Sequence, residues 1–178
     1  MKSKIGIILG STRSGRASED VGNWVLSKSE EFKDAEFELI DIKDFNLPFL
    51  GTTEDQENVM LWNEKLNEFD GFIFVVAEYN HSITGALKNA LDSAREPWAN
   101  KSAGIISYGS AGGTRAAEHL KGILSELQIA SVRTQVLLSL FDDFEQFSKF
   151  NPRNIHDENL KDLFDQVNVW GNALKTLR

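Results

Sequence analysis

A repeated local unit constrains this chain more than any other feature: a short unbroken apolar run, a turn rich in glycine and hydroxyl residues, then apolar residues at helical spacing. Ile5 to Leu9 is the first such run, and its lack of alternation predicts a strand covered on both faces of a parallel sheet. The turn Gly10-Ser11-Thr12-Arg13-Ser14-Gly15-Arg16-Ala17-Ser18 follows, after which Val21, Trp24 and Val25, with Phe32 further on, keep a helical period. Phe72 to Ala77 starts a second copy, continued by Glu78-Tyr79-Asn80-His81-Ser82 and by Ile83, Leu87, Ala90, Leu91 and Ala94, with Glu96-Pro97 closing the helix. Ala103 to Tyr108 begins a third, through Gly109-Ser110-Ala111-Gly112-Gly113 into Ala116, Leu120, Leu124 and Leu127.

The remaining segments fit the same alternation. Phe37 to Ile42 is interrupted by Glu38 and Asp41, which predicts a more exposed strand at a sheet edge. Asp44 to Thr53 reads as a loop, and Val59, Trp62, Leu66 and Phe69 as a second amphipathic helix. Val132 to Leu140 is the last strand, and a looser stretch from Phe141 to Pro152 leads to a helix with Leu160, Leu163, Phe164, Val167, Trp170, Leu174 and Leu177 on one face. The expectation is one α/β domain over residues 1–178: a doubly wound, five-stranded parallel sheet with helices on both faces and the flavodoxin-like strand order 2-1-3-4-5. In that order the connections after strands one and three leave toward opposite faces, so the loops at Gly10, Ala77 and Gly109 open onto one crevice.

A chain of 178 residues, 41% hydrophobic, can bury a substantial core. Its formal net charge of -8 works against binding nucleic acid or anionic lipid, so an anionic ligand needs a local basic site. The absence of cysteine excludes thiolate ligands, disulfides and cysteine nucleophiles. Met1-Lys2-Ser3-Lys4-Ile5 lacks a signal-peptide core and no apolar run approaches membrane-spanning length, which makes the cytoplasm the expected location.

The Gly10 to Ser18 loop combines hydroxyls, two glycines and two arginines at the start of a helix, a composition suited to a phosphate. A triphosphatase loop is excluded because Arg16-Ala17, not lysine, follows Gly15, and a dinucleotide fingerprint is excluded by the glycine spacing. Ser11, Arg13 and Ser18, with Arg16, are the candidate phosphate ligands; the alternative is a plain polar loop in which Ser18 caps the helix and Glu19 and Asp20 complement its dipole. Glu78-Tyr79-Asn80 at a strand's carboxyl end is either a platform for a planar ligand or an ordinary turn with Asn80 or Ser82 as cap. Gly109, Gly112 and Gly113 either permit close approach of a ligand or serve turn geometry alone. His81, His119 and His156 are too scattered for a metal, and no nucleophile elbow is present. A phosphate cradle and a planar platform without acid-base machinery favour a cofactor that carries the chemistry, and flavin mononucleotide (FMN) fits.

On Gly10-Ser11-Thr12-Arg13 with Ser18, and on Glu78-Tyr79-Asn80 leading into Leu87-Lys88-Asn89-Ala90-Leu91-Asp92, the chain resembles the NAD(P)H-dependent FMN reductases, a family that includes quinone, azo-compound and chromate reductases. The resemblance runs from Lys4 to about Gln128, with Ala77 standing where the family usually has proline. It implies that Ser11, Arg13 and Ser18 hold the FMN phosphate, that Glu78, Tyr79 and Asn80 lie beside the flavin ring, and that Gly109, Gly112 and Gly113 form the third flavin loop. It further implies NADPH or NADH as reductant, a ping-pong transfer to a small-molecule acceptor, and a homodimer or homotetramer. A flavodoxin-like electron carrier and a flavin-binding regulatory module are the alternatives. Arg115 is either an attractor for the nicotinamide cofactor or a solvated residue at a helix start. Phe141, Phe144, Phe147 and Phe150, spaced by three, either meet a second subunit or pack under the last helix, and Trp98 belongs either to the core or to the crevice wall.

Overall fold

Ile5, Ile7 and Leu9 point to one side of their strand and Ile8 to the other, and each meets a separate apolar cluster. This two-sided burial is what an unbroken apolar run requires. The computed structural model describes residues 2–52, 54 and 56–178. Its main sheet contains β1 (Ser3–Leu9), β2 (Ala35–Asp41), β3 (Gly71–Ala77), β4 (Lys101–Gly109) and β5 (Ile129–Ser139), all paired in parallel in the order β2-β1-β3-β4-β5. The fold expected from the sequence is therefore present, with β2 at an edge.

Helices α1 (Ser18–Ser29), α2 (Glu57–Asn67), α3 (Gly85–Asp92), α4 (Thr114–Glu126) and α5 (His156–Leu174) divide between the faces. Trp62 and Leu66 of α2, Leu87 and Leu91 of α3, and Leu120 and Leu124 of α4 join one cluster. Val21 and Val25 of α1 and Leu160, Leu163, Phe164 and Val167 of α5 join the other. Because α1 and α3 lie on opposite faces, the carboxyl ends of β1 and β3 flank a crevice. Two bonds tie its floor together: the Gly10 N–H donates to the Val75 carbonyl at 2.9 Å, and the Thr84 hydroxyl donates to the Gly10 carbonyl at 2.5 Å.

Several local expectations shift. Thr84, rather than Asn80 or Ser82, caps α3 by accepting from the Leu87 N–H at 3.0 Å. α3 ends at Asp92, so Glu96–Trp98 forms a separate 3-10 turn, with Pro97 in its first turn where no N–H is needed. Ile42–Phe45 is another 3-10 turn, which takes Asp44 and Phe45 out of the expected loop, while Thr53 lies outside the described residues. Trp98 is fully buried among Trp62, Phe72 and Phe74, so it belongs to the core rather than to the crevice. Trp170 and Leu177 are exposed, because α5 stops at Leu174 and the face it buries runs through Leu160, Leu163, Phe164 and Val167.

The stretch after β5 is a small antiparallel hairpin, β6 (Phe144–Glu145) with β7 (Lys149–Phe150). It splits the four phenylalanines. Phe144 and Phe150 pair across the strands and pack inward, with ring centroids 5.1 Å apart; Phe150 meets Trp24 at 5.6 Å and Phe144 meets Tyr108 at 6.1 Å. Phe141 and Phe147 remain exposed and touch each other edge to face at 5.4 Å. Among the described residues, no helix is long and apolar enough to cross a membrane.

Candidate functional site

Arg13, Gly15, Arg16 and Ala17 from the loop after β1, Ala77, Glu78 and Tyr79 from the end of β3, and Tyr108 and Gly109 from the end of β4 line one cleft of about 300 Å³. The strand order brings these distant segments together at the sheet's carboxyl edge. A larger cleft of about 400 Å³, between α1 and α5, contains none of these loops.

Arg16 and Arg13 occupy unlike positions within the first loop. The Arg16 side chain is 3% exposed and donates from both terminal nitrogens to the Asp41 carboxylate, from Nε to Glu19 at 3.0 Å, and from Nη1 to the Ser11 carbonyl at 2.5 Å. Hydrogen bonds to Asp41 and Glu19 raise its pKa against the opposing effect of burial. This guanidinium braces the loop against β2, and the acidic residues that would repel an anion are partly neutralised by it. Arg13 has no carboxylate partner among the described residues and lines the cleft.

The loop backbone is equally open. Among the described residues, none of the N–H groups from Ser11 to Gly15 has a backbone or side-chain acceptor. Ser18 does not cap α1, whose N-cap is Ala17 without a side-chain bond. Instead the Ser18 hydroxyl is buried without a hydrogen-bond partner of acceptable geometry, although it lies close enough to Tyr108 to draw that phenol slightly down. Burial dominates there and pushes the Tyr108 phenol up to about 12, so it is neutral and able to donate. A buried hydroxyl without a partner is expensive. With unpaired N–H groups and a free guanidinium beside it, the donor set suits a phosphate.

At the next loop, Asn80 and His81 both have positive φ, 48° and 66°, and the turn closes with reciprocal bonds between Tyr79 and Ser82 at 2.9 and 3.0 Å. Positive φ at successive non-glycine residues costs about 1–3 kcal/mol each and concentrates at functional sites. The turn leaves Tyr79 42% exposed at the cleft and the Asn80 amide without a protein partner among the described residues. Glu78 lines the same cleft, with its carboxylate engaged by the start of α4. Its carboxylate accepts from the Arg115 and Ala116 N–H groups and from the Arg115 guanidinium, with Nε at 2.7 Å, so it caps α4 from β3. Arg115 and the capping N–H groups hold the Glu78 carboxyl below its ordinary range in spite of burial. Arg115 is thus occupied by an ion pair, and His119 lies beside Ser82 at 3.1 Å.

The third loop places Gly109 at the cleft, whereas Gly112 and Gly113 take positive φ of 66° and 69°. A Cβ on Gly113 would lie 2.8 Å from the Tyr108 nitrogen, so that glycine serves the turn. Tyr108, Leu140, Phe147 and Ser148 also line the cleft; the sequence does not place them there, and predicts Phe147 at a subunit contact or under the last helix. Phe147 and Ser148 come from the hairpin, whose anchor is Asp143. That carboxylate, fully buried, accepts from the Ser139 N–H at 2.9 Å, from Arg153 Nε at 3.0 Å and from His156 Nε2 at 2.9 Å. These partners outweigh desolvation and pull its pKa down to about 2.

Comparison with known proteins gives the family. Residues 3–143 match the family described as NADPH-dependent FMN reductase. The chain is 36% identical over 172 residues to an NAD(P)H-dependent FMN reductase of a Nectria species, covering 89% of this chain and 86% of that one. It is 33% identical to an NAD(P)H-dependent FMN reductase of Schizosaccharomyces pombe over 77% of this chain and 73% of the relative, and 36% identical to an NAD(P)H:quinone oxidoreductase of Solanum tuberosum over 67% and 66%. The structure of FerB, a flavoenzyme NAD(P)H:(acceptor) oxidoreductase from Paracoccus denitrificans, superposes with a TM-score of 0.73 at 18% identity, over 98% of both chains, a likeness of fold. By sequence match, the chain belongs to the NADPH-dependent FMN reductase family.

Proposed function

We propose that this chain is an oxidoreductase that holds FMN in the cleft between the β1, β3 and β4 loops, takes reducing equivalents from NADPH or NADH, and delivers them to a small-molecule acceptor by a ping-pong cycle. The acceptor class is a quinone, azo compound, free flavin or metal oxyanion. One observation carries the reading: Arg13, whose guanidinium has no carboxylate partner among the described residues, and Gly15 line one end of a cleft whose other walls are Tyr79 and Gly109, and the same loop carries unpaired N–H groups and leads into the orphan Ser18 hydroxyl.

Bound FMN supplies the hydride-accepting ring and the ability to pass on one or two electrons. The chain's own groups bind and orient. Ser11, Arg13 and Ser18 hold the phosphate, and Arg16 keeps the loop in shape through Asp41 and the Ser11 carbonyl. Tyr79 and Asn80 lie beside the ring, Gly109 allows its close approach, and Glu78 fixes the position of the ring-side turn relative to α4. Tyr108, kept neutral by its surroundings, offers a proton-bearing hydroxyl near the phosphate end. We also propose a cytoplasmic homodimer or homotetramer; exposed Phe49, Leu50, Met60 and Leu61 offer apolar surface for a subunit contact.

Anaerobic stopped-flow mixing of the FMN-loaded protein with NADPH tests the reading. Loss of the flavin's visible absorbance without any other protein, and its return on adding a quinone, supports the reductase. Flavin that stays oxidised with both NADPH and NADH overturns it in favour of a carrier.

A further inference from the structure

The hairpin lies beyond residue 143, where the family match ends, and it puts an unexplained aromatic ring at the mouth of the cleft. Gln146 and Phe147 are the central residues of a turn closed by the Ser148 N–H on the Glu145 carbonyl at 3.1 Å, with φ of 49° and 60°. Positive φ at both central residues is the mark of the type I′ hairpin turn, which favours Asn-Gly. A bulky aromatic in that second position is a backbone outlier. Such a residue persists only where its surroundings over-determine it, and the inference runs from the outlier to a role.

The surroundings here do so. The fully buried Asp143 carboxylate fixes the hairpin's base through Ser139, Arg153 and His156, and the Asp143 carbonyl accepts from the Asn151 N–H at 2.9 Å. Phe144 and Phe150 seat the strands against Tyr108 and Trp24. Phe147 therefore stands on a rigid base, 61% exposed, braced by the edge of Phe141 at 5.4 Å and 90°. Its neighbours on this wall, Leu140 and Ser148, carry no charge, while the arginines lie in the phosphate loop.

We propose that Phe147 is a specificity-determining residue of the cleft, offering a ring face on which planar aromatic electron acceptors stack, so that the enzyme selects them over compact inorganic oxidants. This rests on the FMN reading of the cleft. A planar ring gains by burying apolar area against Phe147 and by aromatic offset, and a compact anion gains neither.

The test measures kcat/KM for 1,4-naphthoquinone and for ferricyanide with the FMN-loaded protein and its Phe147→Ala, Phe147→Gly and Phe147→Trp variants. The ratio of naphthoquinone to ferricyanide is expected to fall about tenfold in both Phe147→Ala and Phe147→Gly and to be kept in Phe147→Trp. A ratio within about twofold of wild type in Phe147→Ala overturns the proposal, as does a fall in Phe147→Gly alone, which would assign the effect to turn geometry, or a fall tracking a change of oligomeric state on size-exclusion chromatography. Failure of the wild-type protein to bind FMN, or of NAD(P)H to reduce it, instead overturns the reading of the cleft itself.

Discussion

Arg16 and Asp41 form a forked ion pair that ties the loop after β1 to the end of β2. The pair divides labour between two arginines three positions apart in the sequence. Arg16 shapes the loop and Arg13 is left for a ligand.

Replacing Arg16 with alanine removes the counter-charge of a half-buried Asp41 carboxylate, which keeps only the Lys43 N–H, and leaves the Ser11 carbonyl without its donor. The loss is expected to be about 2 kcal/mol of folding stability, read by urea denaturation of the protein without FMN. A midpoint equal to wild type would mean that the pair contributes nothing to the fold.

Ser18→Ala is expected to act in opposite directions on stability and binding. Removing a buried hydroxyl that lacks a partner should leave the FMN-free protein as stable as wild type or stabilise it by about 1 kcal/mol, while FMN binding weakens. Urea denaturation and an FMN titration on the same preparation read both quantities. Weaker folding with unaltered binding would place Ser18 in the scaffold instead.

Asp143 should leave an acid signature. Its folded-state pKa, about 2 against an ordinary 3.8, is depressed, so its stabilising contribution is present above about pH 4 and is lost as the pH falls toward 2. Denaturation curves should show wild type losing about 2 kcal/mol through that window relative to Asp143→Asn. Parallel profiles for the two proteins would remove Asp143 as the hairpin's anchor.

Lys101 gives the complementary alkaline signature at the far end of the sheet. Lys101 is 3% exposed, and its ammonium donates to the Leu66 carbonyl at 2.6 Å. Burial, helped by Arg178 and opposed by Asp70, lowers its pKa from 10.5 to about 8. The unfolded chain therefore holds the proton where the folded one does not, and stability should rise between pH 8 and 10 by on the order of 1–2 kcal/mol. The rise is expected in wild type and not in Lys101→Met, in denaturation experiments across that range.

The residues that announced the fold were those whose environment is set locally. Ile5 to Leu9 and Phe72 to Ala77 are fully apolar because both sheet faces are covered, and Glu38 and Asp41 mark β2 as an edge. The convergence of the Gly10, Glu78 and Gly109 loops followed from strand order alone. What stayed hidden depended on partners remote in sequence. Arg16 and Arg13 look alike until Asp41 arrives from another strand, and Glu78 resembles a ligand-facing acid until the start of α4 meets it. Thr84 could be chosen over Asn80 and Ser82 as cap only once Gly10 was beside it. The four phenylalanines, three apart, fit neither a strand nor a helix period, because a tight turn between β6 and β7 sends two inward and two outward.

The central claim is that an FMN phosphate sits in the Ser11 to Ser18 loop with Arg13 as its free cation. Fluorescence titration of FMN into the wild-type protein and Arg13→Ala tests it most directly. Wild type should bind and quench the flavin, and Arg13→Ala should bind about tenfold or more weakly at an unchanged urea midpoint. Equal affinity in the two proteins would contradict the account.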